Sequence, residues 1–236
     1  MAARLLPQDL PLHKAMNDIA HNLNEIRAEI PDRVRLVAVS KNHPAEAVLA
    51  AYHAGQRVFG ENRVQEILAK QPLLPAGIEW HMIGHLQSNK VKHIAPFISM
   101  IQSVDSLKLL SDISEQAMKN GRVIDCLLQV FIATEETKFG FDEKELEDLL
   151  EQVHLNPFKG IRIRGLMGMA TFTDDSDQIR KEFRGLKLLF DKIKKEYFPM
   201  ENSFNELSIG MSGDYRIAIE EGSTIVRIGT RIFGSR

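Results

Sequence analysis

Between Asp18 and Glu29 the apolar residues Ile19, Leu23 and Ile26 return at spacings of four and three, which predicts an amphipathic helix near the head of the chain. The period then changes. "VRLVAVS" is an apolar run of strand length, and "PAEAVLAAYHAG" after it has helical spacing, with Pro44 in its first turn and Gly55 just past its end. This strand–helix pair recurs. "RVFGEN" precedes "RVQEILAKQ", "IEWHMIG" precedes "NKVKHIAPF", and "MIQSVD" precedes "SLKLLSDISEQAMKNG". "DCLLQVFI" leads into a helix around "EKELEDLLEQVH", and "IRGLMGMA" into "SDQIRKEFRGLKLLFDKIKKEYF". "ELSIGMS" and "STIVRIG" close the series around a short helix, "GDYRIAIEEG".

Eight strands alternating with helices, mostly continuous apolar runs without internal proline, predict parallel strands buried on both faces. The fold class expected is α/β, a single (β/α)8 TIM barrel with an extra N-terminal helix. Such barrels run to about 250 residues, and this chain has 236. A doubly wound sheet would more often carry a dinucleotide-type glycine turn after its first strand; here Lys41 stands in that place. No linker or low-complexity segment interrupts the pattern, so residues 1–236 are expected to form one domain.

Composition narrows the function classes. Thirty basic against thirty-two acidic side chains leave a net charge of −2, without the electrostatic footprint of a nucleic-acid or anionic-lipid binder. The only cysteine, Cys126, lies in an apolar run, which excludes an intrachain disulfide and a cysteine-cluster metal site and suits a reducing compartment. The N-terminal "MAARLLPQDLPLHKAMNDIAHNL" lacks the apolar core of a secretory signal and reads as mature protein. No apolar stretch approaches the roughly 20 residues of a membrane span. A cytoplasmic monomer, with neither nucleic acid nor membrane as partner, is the expectation.

In a barrel of this type sites form at the carboxyl ends of the strands, and the loops after strands seven and eight often hold a phosphate. Strand seven runs into "GMSGD", with Ser212 and Gly213, and strand eight into "RIGTRIFG", with Gly229 and Thr230. Small residues let backbone N–H groups approach phosphate oxygens, and each hydroxyl adds a donor. Glycines also simply make tight turns, but two such loops together favour a phosphate monoester. Neither loop has the G-x-x-x-x-G-K-[ST] pattern of a nucleoside triphosphate site.

Arg227, two residues before Gly229, faces the same side of its strand and lies deeper. It either points at the ligand or snorkels outward between helices. Lys41 has the same ambiguity. It reaches solvent, neutralises the phosphate, or attacks a carbonyl to form a Schiff base, which needs the neutral amine. From a free pKa of about 10.4, half-neutrality near pH 7.4 costs roughly 4 kcal/mol of differential stabilisation.

Other clusters carry less. His81 and His85 in "HMIGH" would lie about 13 Å apart on an extended strand, too far to share one ion. "TDDSD" lacks the glycine and terminal glutamate of a calcium loop and reads as helix capping. "KIKK" near Lys192 reads as a solvated helix face. No metal site is expected.

The stretches "LVAVSKNHPAEAV", "VFGENRVQE", "WHMIGHLQSNK", "GLMGMA" and "LSIGMSGDYRIAIEEGSTIVRIGTRIFG" together closely resemble the pyridoxal phosphate homeostasis proteins, single-domain relatives of the alanine racemase N-terminal barrel. The resemblance spans nearly the whole chain in order. It implies a barrel carrying pyridoxal 5'-phosphate (PLP) as an internal aldimine on Lys41. It also implies a phosphate held by Ser212, Gly213, Gly229 and Thr230, Arg227 facing the pyridine nitrogen, and Asn62 of "GEN" near the cofactor. Asn42 departs from the family pattern, where threonine is frequent, and so does "GMATFTDD".

A cation at the pyridine nitrogen disfavours ring protonation and weakens the ring as an electron sink. Two-base racemases of the related family also draw a tyrosine from a C-terminal β-domain, for which this sequence shows no segment. The resemblance therefore implies a non-catalytic protein that holds, buffers or delivers PLP to apo-enzymes in vitamin B6 homeostasis. A single-domain PLP-dependent amino-acid racemase is the alternative, and a Schiff-base aldolase acting on a sugar phosphate a third reading.

Overall fold

The computed structural model describes residues 10–133 and 140–234, with side chains from residue 18 onward. The extreme N-terminus, read above as mature protein, lies outside the described residues. Helix α1 (Leu10–Glu29) starts earlier than the periodicity from Asp18 indicates, and buries Ile19, Leu23 and Ile26 as that spacing requires. Then follow β1 (Arg35–Val39), α2 (Ala45–His53), β2 (Val58–Glu61), α3 (Val64–Lys70), β3 (Glu79–Met82) and α4 (Val91–Ile94). The second half holds β4 (Met100–Val104), α5 (Leu107–Lys119), β5 (Ile124–Gln129), α6 (Glu143–Leu155), β6 (Ile161–Met167), α7 (Ser176–Tyr197), β7 (Glu206–Ser208), α8 (Tyr215–Glu220), β8 (Ile225–Ile228) and α9 (Thr230–Phe233).

The strands pair in chain order, all parallel, and β8 returns to β1, giving the closed (β/α)8 barrel that the alternation predicts. Two cores result. Val37, Val58, Met100, Leu127, Met167 and Ile225, from six different strands, pack on one another and fill the barrel interior. Residues of the opposite parity, such as Ala38, Phe59 and Trp80, join the helices in the larger outer core.

Strand β6 occupies Ile161–Met167, whereas the sequence pattern places it from Ile163 to Ala170. The pairing with β5 explains the offset. Cys126 faces Ile163 but Leu127 faces Gly165, so Arg164 is an extra residue in a bulge. Gly165 has φ 153°, and an added Cβ there would run into the Glu206 carbonyl. Helix α9 is a single turn, too short to leave a periodic signal. Asp175 accepts from the N–H groups of Asp177 and Gln178, so the acidic cluster caps α7 as read. Lys192 does more than face solvent, because it pairs with Glu143 and Glu147 and ties α7 to α6.

Candidate functional site at the barrel mouth

Lys41 is the second residue beyond β1, on the parity of the inward Val37 and Val39, and is exposed at the C-terminal rim. Both peptide groups that flank it are held by the β2–α3 unit. The buried Lys70 ammonium donates to the Ser40 carbonyl at 2.8 Å and to Glu61 Oε1 at 2.7 Å. The Ser40 hydroxyl donates to the same Glu61 oxygen at 2.6 Å. On the other side, the Asn42 N–H donates to Glu66 Oε2 at 2.6 Å, and Asn42 adopts φ 59°, a left-handed conformation that asparagine tolerates better than most residues.

Burial pushes the Glu61 carboxyl up against the pull of Lys70 and Ser40, and its Oε2 is buried without a hydrogen-bond partner. At Glu66 burial acts in the same direction, but the Asn42 N–H and Lys70 outweigh it and hold the carboxyl below its ordinary value. These groups were not legible as site residues. The available signal was Glu66 and Lys70 at i,i+4 spacing beside "GEN", which from sequence alone reads as a surface ion pair.

Arg227 is 4% exposed and faces Val37 in the β1–β8 register, so it lies in the barrel interior rather than among the helices. Its guanidinium donates to the Ser208 carbonyl and hydroxyl at 2.8 and 2.6 Å, and to the Gly168 carbonyl at 3.0 Å. The Ser208 hydroxyl donates to Gln102 Oε1 at 2.7 Å, and the Gln102 amide meets His81 Nδ1 at 2.9 Å. Burial lowers Arg227 to about 10, against the opposing charge of Asp214, so it stays cationic at neutral pH. Burial, with a smaller contribution from Arg35, lowers His81 to about 3 and keeps it neutral.

The two small-residue loops meet above Arg227. The Gly229 N–H donates to the Ser212 hydroxyl at 3.2 Å. A Cβ on Gly213 would meet nothing within 4 Å, whereas one on Gly229 would lie 3.0 Å from the Val39 carbonyl. Gly213 thus presents open backbone, and Gly229 is pressed against Val39, the last residue of the strand that leads to Lys41. Thr230 is exposed at the first position of α9. Barrel closure alone brings these loops beside Lys41, because β8 pairs with β1.

Asn62 directly follows β2 at the rim, half-buried, with its backbone against Gly84, where an added Cβ would lie 2.5 Å from the Asn62 carbonyl oxygen. His81 and His85 are separated in role as their spacing implies. His81 is interior, and His85 is exposed and pairs with Asp105 at 3.0 Å. No helix among the described residues is long and apolar enough to cross a membrane.

The alanine racemase N-terminal domain family model matches residues 15–236. The pyridoxal phosphate homeostasis protein of Aquifex aeolicus is 40% identical over 86% of this chain and 87% of its own length. That of Escherichia coli K12 is 38% identical over 94% and 98%. The chain belongs to the pyridoxal phosphate homeostasis protein family. The structure of PipY of Synechococcus elongatus PCC7942, solved with PLP bound, matches with TM-score 0.83 and 38% identity, covering 92% of this chain and all of that one. Alanine racemase of Clostridium difficile 630, at 18% identity and TM-score 0.70, shares the barrel fold, the match covering 93% of this chain and 57% of that one.

The site fits the family's cofactor on its own geometry. A phosphate needs donors and close backbone, and a phosphate at the two loops joined by the Ser212–Gly229 contact would meet the Ser212 and Thr230 hydroxyls and the backbone of Gly213 and Gly229. A planar ring below that phosphate would find Arg227 fixed in the lumen and Lys41 on the adjacent strand end.

Proposed function

We propose that this protein binds PLP at the barrel mouth and works in intracellular PLP homeostasis as a non-catalytic carrier or regulator. Lys41 holds the cofactor covalently through Nζ. Ser212, Gly213, Gly229 and Thr230 bind the phosphate, Arg227 faces the pyridine nitrogen, and Asn62 lies near the ring. The observation that carries this reading is the pairing of β1 with β8, which sets Lys41 beside the contact between Ser212 and Gly229.

When bound, PLP supplies an electrophilic carbonyl carbon and a ring able to accept electrons. The chain's own groups favour holding over turnover. Arg227 remains protonated and already donates to Ser208 and Gly168, so it offers the ring nitrogen a hydrogen-bond donor and no acid proton to give up. The Lys70–Glu61–Glu66 cluster orients the Lys41 backbone from the side remote from the lumen. We read the protein as a single-domain cytoplasmic monomer that passes PLP to apo-enzymes.

The decisive experiment is borohydride reduction with PLP, followed by intact mass and peptide mapping. One pyridoxyl-phosphate adduct on Lys41 supports the site; no adduct, or scatter over surface lysines, overturns it. Catalysis is tested separately by α-proton exchange of common amino acids in deuterated solvent. Exchange that depends on both Lys41 and added PLP would replace the carrier reading with a racemase. Transfer to an apo-enzyme no faster than free dissociation would remove the delivery role.

A further inference from the structure

A second cleft of about 500 Å³ lies next to the rim, lined by Asn62, Arg63, Glu66, Met82, His85 and Lys90 among others. Its floor is on the helix side of the barrel wall. In the register, Gly60 faces His81 and Glu61 faces Met82, so Met82 has the outward parity, opposite to the interior His81. Met82, with Val64 and Leu86, belongs to the outer core and forms an apolar floor. The Met82 floor is thus on the far side of strand β3 from the lumen that holds Arg227, while Asn62, placed near the ring in the proposed function, lines the cleft at the rim. Its size falls within the range of small-ligand sites, about 300–1,000 Å³.

The charges around it are unequal. Glu66 is occupied by Lys70 and the Asn42 N–H, and His85 is matched by Asp105. Arg63 and Lys90 line the same cleft, and neither has an acidic partner within ion-pair distance among the described residues. The amide side chains of Asn62, Gln65 and Gln87 add neutral donors and acceptors. Two cations without an acidic partner among the described residues, over a small apolar floor, select a ligand with two negative charges and a short hydrocarbon body.

We propose that this cleft binds a small organic dicarboxylate, and that its occupancy is transmitted to Lys41 through Glu66. Glu66 is the shared element, because it lines the cleft and also fixes the peptide that follows Lys41 at 2.6 Å. A carboxylate drawn in beside Glu66 repels it and loosens its hold on Asn42, which relaxes the backbone conformation that presents Lys41. By linkage, whatever the dicarboxylate does to ligand affinity at Lys41, that ligand does in return to dicarboxylate affinity. Only this coupling rests on the proposed PLP site; the cleft itself does not.

Equilibrium dialysis of radiolabelled succinate against the full chain tests the site. We expect saturable one-to-one binding that malonate or glutarate displaces, that inorganic phosphate displaces at least tenfold less well, and that weakens at least tenfold in the Arg63→Ala/Lys90→Ala double variant. Thermal midpoints confirm that the variant is folded, and Arg63→Lys/Lys90→Arg should retain binding. Absence of saturable binding, undiminished binding in the folded double variant, or equal displacement by phosphate overturns the proposal. For the coupling, succinate should change the rate of borohydride-trapped PLP adduct formation at Lys41 at least twofold in the wild-type chain and leave it unchanged in Glu66→Ala. A wild-type rate indifferent to bound succinate overturns the coupling. Failure of any adduct to form would instead overturn the PLP reading, with the succinate isotherm unaffected.

Discussion

The Lys70 ammonium lies 2.8 Å from the Ser40 carbonyl, the group that forms the peptide bond to Lys41. A buried ion pair on the helix side of the sheet therefore fixes the direction in which Lys41 leaves the strand. Glu61, which Lys70 also neutralises, is fully buried. Replacing Lys70 with Met leaves that carboxylate without a counter-charge, and we expect a loss of about 3–5 kcal/mol in stability. The Lys70→Met/Glu61→Leu double variant should recover most of it, as read by denaturant unfolding, yet form the Lys41 adduct more slowly than wild type. A double variant with an unchanged adduct rate would show that the cluster only stabilises the fold.

Lys41→Ala should abolish the borohydride-stable adduct while leaving weaker, phosphate-driven PLP binding, because Ser212 and Gly229 remain in contact. Absorbance titration measures both. Equal affinity in the variant and the wild type would remove the covalent link from the explanation.

Arg227→Gln withdraws the cation from two carbonyls and a hydroxyl in a buried site. We expect a stability loss of about 2–3 kcal/mol and a shifted absorption band for bound PLP. An unchanged spectrum and affinity would place the arginine away from the ring.

Gly84→Ala would drive a Cβ to within 2.5 Å of the Asn62 carbonyl oxygen and 2.7 Å of its Cα. The displaced backbone should cost about 1–3 kcal/mol and weaken PLP binding while sparing the Lys41 adduct. Wild-type affinity in a folded Gly84→Ala variant would mean that Asn62 does not contact the cofactor.

The pH dependence of stability should show two separate losses. His81 is held neutral with its pKa lowered to about 3. Below about pH 6.5 the unfolded chain takes up a proton that the native chain refuses, so stability falls as pH drops from that value towards 3. The slope approaches about 1.4 kcal/mol per pH unit, and His81→Gln should remove it. Glu29, bound by the Tyr215 hydroxyl and the Arg216 and Arg231 guanidiniums, is lowered to about 2. Its contribution is fully present above pH 4.5 and is lost as pH falls towards 2. Unfolding free energies of wild type, His81→Gln and Glu29→Gln across this range separate the two.

The amino-acid sequence by itself determined the order of strands and helices, because the switch between continuous apolar runs and helical spacing is local. It also placed Lys41, Ser212 and Gly229 at strand ends, where this architecture puts its chemistry. Side-chain alternation left Arg227 undecided between lumen and helix layer. Its register opposite Val37 settled that, and register belongs to the closed sheet rather than to any one strand. Likewise, Glu61, Glu66 and Lys70 look like ordinary surface charges in the chain, and only the packing of α3 against the end of β1 turns them into a clamp on the backbone around Lys41, buried at Glu61 and Lys70 and half-buried at Glu66. Local sequence encodes what each segment prefers; which distant groups share a low-dielectric interior is decided when the barrel closes.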